Sequence, residues 1–128
     1  MKKSRFLELQ KKLKTEVEDT FNQKGPAYTG ESKDCLANFK KMAEKFNVSP
    51  LLVWGIYFNK HVDAINSFIT NPDLSQGSEP IETRLIDIIN YSYLGHAIIE
   101  EEKENSIVRD LSKEGINLAT EIKVEFTP

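Results

Sequence analysis

Apolar side chains recur along this chain at spacings of three and four, the repeat of a helix that buries one face. Phe6, Leu9, Leu13, Val17 and Phe21 form the first such stripe, with lysine and glutamate on the remaining positions, and predict a helix from about Ser4 to Asn22. Gly25-Pro26 is expected to end it, since glycine suits a helix C-terminus and proline cannot continue the hydrogen-bond ladder. The segment Asn22 to Lys33 then reads as a loop. Asp34 is the expected N-cap of a second, short helix carrying Leu36, Phe39, Met42, Ala43 and Phe46 and closed by Asn47 and Val48. Ser49-Pro50 is a strong start signal, pairing a capping hydroxyl with the imino acid favoured at the first helical position. It predicts a third helix from Pro50 to about Ile69.

The first half of that helix is apolar nearly all round (Leu51, Leu52, Val53, Trp54, Ile56, Tyr57, Phe58), which predicts burial on several sides and a central place in the fold. Turn formers from Asn71 to Gly77 make the next connection. Ser78 is the expected cap of a fourth helix with Pro80 in its first turn. It carries Ile81, Leu85, Ile88, Ile89, Leu94, Ala97 and Ile98 and reaches about Lys103. Glu100-Glu101-Glu102 would oppose the macrodipole at a C-terminus there and fray the last turn. A short separate helix is expected over Ile107 to Lys113, stopped by Gly115. In the tail, Ile122, Val124 and Phe126 alternate with Lys123 and Glu125, a strand-like pattern without a partner strand, expected to pack as an extended arm or to pair with another subunit.

The predicted fold class is therefore all-α, a compact bundle of four main helices with a short C-terminal helix and an extended tail. The 128 residues fit one domain, large enough to bury about two-thirds of the unfolded chain's surface. Within it the N-terminal helix occupies 1–22, the core 28–100 and the C-terminal extension 106–128.

Composition narrows the function classes. Hydrophobic residues at 39% and charged residues at 29% are globular values, and a net charge of −3 argues against a duplex nucleic-acid partner, whose affinity rests on a basic surface. A small anionic ligand in a local basic pocket remains allowed. Cys35 is the single cysteine, which excludes an intramolecular disulfide and suits a reducing cytoplasm. No run approaches the ~18 apolar residues of a membrane span, and the charges of the basic N-terminus interrupt any signal-peptide core. A cytoplasmic protein without membrane partners is expected.

Two polar islands interrupt the most apolar helices. One is Asn59, Lys60, His61 and Asp63; the other is Arg84, Asp87 and Tyr91, which share a helix face, with Asn90 adjoining. Taken singly, they have plain explanations: a solvent face, a structural histidine, a local Arg84-Asp87 ion pair. Their coincidence on facing helices points to a shared cleft whose polar groups need partners. Lys60 and Arg84 suit phosphate, Asp87 and Asn90 suit the polar edge of a base, and Trp54, Tyr57 and Tyr91 offer flat faces for stacking. Lys24-Gly25-Pro26-Ala27-Tyr28-Thr29-Gly30 lacks the spacing of a P-loop.

A Mg²⁺-dependent nucleotide pyrophosphohydrolase would need carboxylates converging from two helices. Glu16 with Asp19 and Glu79 with Glu82 do not form such a set with Asp63 or Asp87, and the residue three before Asp87 is the cation Arg84. No catalytic residue, metal or cofactor is expected, and Cys35 has no evident catalytic partner.

From Tyr28 to about Glu100 the chain resembles a family of small, mostly phage-encoded helical proteins associated with nucleotide modification. The likeness lies in Asp34-Cys35-Leu36-Ala37-Asn38-Phe39-Lys40, in Val53-Trp54-Gly55-Ile56-Tyr57-Phe58 running into Lys60-His61-Val62-Asp63-Ala64-Ile65, and in Ser78-Glu79-Pro80-Ile81-Glu82-Thr83-Arg84 with Asp87, Asn90 and Tyr91. The resemblance implies a sponge that sequesters a cyclic dinucleotide such as 3′3′-cGAMP and blunts bacterial anti-phage signalling from the host cytosol, or else, through distant kinship to all-α pyrophosphohydrolases, a Mg²⁺-dependent pyrophosphohydrolase or a nucleotide-modification accessory protein. The cations favour holding over cutting. The expected ligand contacts are Lys60, His61, Arg84, Asp87, Asn90, Tyr91, Trp54, Tyr57, Asp63 and Asn38, with Asn38 and Asp34 equally open to a packing role. A homo-oligomer, dimer or tetramer, is expected. A helical adaptor without a small ligand is the third reading.

Overall fold

The computed structural model describes residues 1–29, 33–73 and 79–115, with side chains at 26–29 excepted. Four helices follow in order, α1 Lys3–Thr29, α2 Ala37–Phe46, α3 Pro50–Thr70 and α4 Ile81–Lys113, and no strand occurs among the described residues. Ser78 and the alternating tail lie outside them.

The start of α3 follows the sequence signal: Ser49 Oγ accepts the Leu52 N–H at 3.1 Å, with Pro50 in the first turn. Asp34 acts one step earlier than expected. Its Oδ1 accepts the Leu36 N–H at 2.9 Å and its carbonyl accepts the Ala37 N–H at 3.1 Å, so it folds the lead-in turn, while the N-cap is Leu36 without a side-chain cap. Asn47 closes α2 in the left-handed region, φ 52°, a conformation asparagine tolerates better than most residues, and this lets Val48 N–H reach Ala43 C=O at 3.0 Å.

Two boundaries differ from expectation for tertiary reasons. α1 runs through Gly25-Pro26 to Thr29, because Lys24 in that turn is held by Asp87 of α4 at 2.8 Å. α4 runs unbroken from Ile81 to Lys113, about 50 Å at the helical rise. The expected separate helix over Ile107 to Lys113 is its last two turns. Because the helix continues, the glutamate run sits mid-helix, away from the terminal dipole that would have opposed it. Lys40 of α2 holds Glu101 at 2.7 Å and Lys103 holds Glu100 at 3.3 Å. Gly115, at φ 76°, follows its end.

α4 is the spine, with α3 packed antiparallel along one side, α1 along another, and α2 lying against α3 and α1. Leu36, Phe39, Ala43, Val53, Tyr91, Leu94 and Ile98 form the core, flanked by Phe21, Met42, Leu51, Trp54 and Phe58. Trp54 lies flat over α4 where Gly95 leaves room; a Cβ there would sit 2.6 Å from the indole. Its Nε1 donates to the Tyr91 carbonyl at 2.6 Å and its ring stacks on Phe58 at 4.9 Å. The expectation that α3 is buried on several sides is corrected: Val53 is buried, but Leu52 and Ile56 are 51% and 64% exposed. α3 packs against α4 and α2, and Leu52 and Ile56 lie on the flank that no described helix covers. Among the described residues no helix is long and apolar enough to cross a membrane.

Candidate functional site

Asp87 is the centre of the polar cluster. It is 2% exposed, and a carboxylate so far from water needs charged or hydrogen-bonding partners. Lys24 Nζ donates to Oδ1 at 2.8 Å from α1, and His61 Nδ1 stands 3.8 Å from Oδ2 on the α3 side. Arg84, one turn before Asp87, places a terminal guanidinium nitrogen 3.3 Å from the same His61 Nδ1. Three helices thus meet in one network, Lys24–Asp87–His61–Arg84. Tyr91 packs its ring 5.0 Å from the His61 ring and edge-on to Phe39, closing the inner wall.

Burial pushes the His61 imidazole below its ordinary pKa, and the positive charges of Arg84, Lys24 and Lys60 push the same way against the opposing pull of Asp87. A neutral ring accepts at Nδ1 from the Arg84 guanidinium, which assigns its own N–H to Nε2. Arg84 is mostly buried as well. Its Nε lies 3.3 Å from Glu79 Oε2 but makes no hydrogen bond in that direction, a buried donor left unsatisfied.

Of the residues singled out from sequence, His61, Arg84, Asp87 and Tyr91 come together here. Lys60 and Asp63 lie exposed on α3 beside the cluster, and Tyr57 is 40% exposed on the same helix. Asn90 faces the other way: its amide, 2% exposed, donates to the Val17 carbonyl at 3.1 Å and ties α4 to α1. Trp54 is committed to the α3–α4 packing described above, and Asn38 is half-buried on α2. Lys24 is the member that sequence reasoning missed. The Gly25-Pro26 signal placed it in a loop; what pointed to it was a deeply buried aspartate in want of a cation.

A second charged cluster ties α2 to α4. Lys40 donates to both Asp34 and Glu101 at the edge of a cleft of about 460 Å³ that also involves Leu36, Pro50, Ile98 and Arg109. The Lys40 hydrogen bond, helped by the Leu36 N–H, holds the Asp34 carboxyl below its ordinary pKa. Burial works to lower the Lys40 ammonium, and the hydrogen bonds to Asp34 and Glu101 outweigh it and hold it above its usual value. Cys35 is exposed. Among the described residues no three histidine, cysteine or acidic side chains are grouped so as to hold a metal ion.

Comparison of the chain with models of protein families, with curated proteins and with solved structures finds no match in any of the three.

Proposed function

We propose that the protein binds and sequesters a phosphate-bearing nucleotide, a cyclic dinucleotide such as 3′3′-cGAMP, and does not hydrolyse it, and that in an infected bacterium this blunts anti-phage signalling. The observation that carries the reading is the gathering of three cations from three helices at one place in a protein of net charge −3. Lys24, Lys60 and Arg84 surround a histidine held neutral, with the carboxylates of Asp87, Glu79 and Asp63 nearby. Arg84 supports it further, since its buried Nε has no hydrogen bond and a guanidinium can grip phosphate oxygens with several donors at once. Asp87, the obvious metal ligand of a hydrolase, is engaged by Lys24. That arrangement favours holding over metal-assisted cleavage.

The test is equilibrium binding of 3′3′-cGAMP to the full chain by calorimetry, followed by heat release and chromatography of the nucleotide. Intact nucleotide is expected, with affinity falling in Arg84→Ala and Lys60→Ala. Absence of binding would sink the reading. A cleaved product, or Mg²⁺-dependent pyrophosphate release from nucleoside triphosphates, would replace it with the pyrophosphohydrolase.

A further inference from the structure

The apolar stripe of α1 is covered at one end and bare at the other. Val17, beside Asn90, is 6% exposed; Leu13 and Leu9 are half-buried; Phe6 is 54% exposed. On α4 the next positions of the same face, Ile89 and Tyr93, are 38% and 64% exposed. Between them runs a groove of about 540 Å³, with Phe6, Leu9 and Leu13 on one side and Ile89 and Tyr93 on the other. A smaller hollow that shares Val17, Glu18 and Tyr93 extends it to Asn22. From Phe6 to Asn22 is about 24 Å of helix, long enough to seat four turns of another amphipathic helix.

The charges say which helix. Residues 1–14 carry Lys2, Lys3, Arg5, Lys11, Lys12 and Lys14 against Glu8 alone, whereas the next turn carries Glu16, Glu18 and Asp19 and no cation. A parallel neighbour with the same sequence would set basic on basic. An antiparallel one centred near Glu16 sets Lys11, Lys12 and Lys14 of each copy beside Glu16, Glu18 and Asp19 of the other, with the apolar stripes between them. Lys14 and Glu18 both lie along the groove, so in that pairing the Lys14 of one copy meets the Glu18 of the other.

We propose that the occupant is a second copy of this chain, and that α1 pairs antiparallel with its own mate in a two-fold dimer, burying Phe6, Leu9, Leu13, Ile89 and Tyr93. Such an interface is self-complementary and closes at two. It lies on the α1–α4 face and does not depend on the nucleotide reading.

Sedimentation equilibrium of the full chain tests it. The wild type is expected to dimerise, and Phe6→Glu and Tyr93→Lys, both at exposed positions, to weaken the dimer by about tenfold or more with helical circular dichroism unchanged. Lys14→Glu is expected to weaken it, and Lys14→Glu with Glu18→Lys to restore it, which intact folding alone would not bring about. A wild type that stays monomeric overturns the proposal, whether the groove is then left to a foreign partner or covered by the chain's own C-terminal segment. So does a dimer indifferent to Phe6→Glu and Tyr93→Lys, or one that the charge exchange fails to restore.

Discussion

Asp87 and Arg84 stand one turn apart on α4 and have different consequences when removed. Asp87→Asn leaves Lys24 beside a neutral amide and takes from His61 the one charge that favours its protonation. Breaking a fully buried pair costs about 3–5 kcal/mol; Lys24 is 38% exposed, so water takes up part of the loss and about 1–3 kcal/mol is expected, measured by urea unfolding. Arg84→Gln removes a guanidinium whose partners are a neutral imidazole and a glutamate that reaches water. The fold is expected to lose about 1 kcal/mol or less, while nucleotide affinity falls at least tenfold, and calorimetry on the same samples separates the two effects. His61, Arg84, Asp87 and Tyr91 were legible as a cluster because they break apolar helices at helical spacing. Lys24 was not, since its role depends on α1 continuing past a glycine and a proline. Neither was the turning of Asn90 toward Val17, which depends on where α1 crosses α4.

Helix boundaries were legible where the signal is local and lost where a distant contact decides. Ser49-Pro50 acts within one turn, and α3 starts where those two residues place it. The end of α1 and the continuity of α4 depend on Lys24 reaching Asp87 and on Lys40 reaching Glu101, pairs more than 60 residues apart in sequence. The α3–α4 pairing depends in turn on a residue that no periodicity marks. Gly95 is the gap into which Trp54 lies, and Gly95→Ala places a methyl 2.6 Å from the indole. Because that contact is with a packed ring, the two helices must separate, at a cost of about 1–3 kcal/mol. Trp54 is the sole tryptophan, so a shift in its fluorescence emission maximum on Gly95→Ala checks the disturbance directly, and an unchanged spectrum with unchanged stability would refute it.

For the whole molecule, the burial of His61 becomes a dependence on pH. Its folded pKa lies below the ordinary value near 6.5, and the unfolded chain therefore binds the extra proton more readily. The stabilisation tied to the neutral ring is complete above about 6.5 and is lost as the pH falls below it toward the folded pKa. Between pH 7.5 and 5 the melting temperature is expected to drop, and His61→Gln is expected to flatten that slope; an equal slope in the variant would assign it elsewhere. The all-α architecture itself needed only the hydrophobic repeat, but the choice of α4 as spine did not follow from it, since α3 is the greasier helix and yet leaves Leu52 and Ile56 in water. The spine also outruns the body that it supports. Among the described residues, Lys40 on Glu101 is the last ion pair from another helix along α4, and twelve helical residues follow it to Lys113. A helix segment of that length is marginal in water without tertiary support, so the two ends of this single helix belong to different levels of the opening hierarchy. In native-state hydrogen exchange the amides around Leu94 and Ile98 are expected to open with global unfolding, and those beyond Glu101 to exchange progressively faster toward the C-terminus.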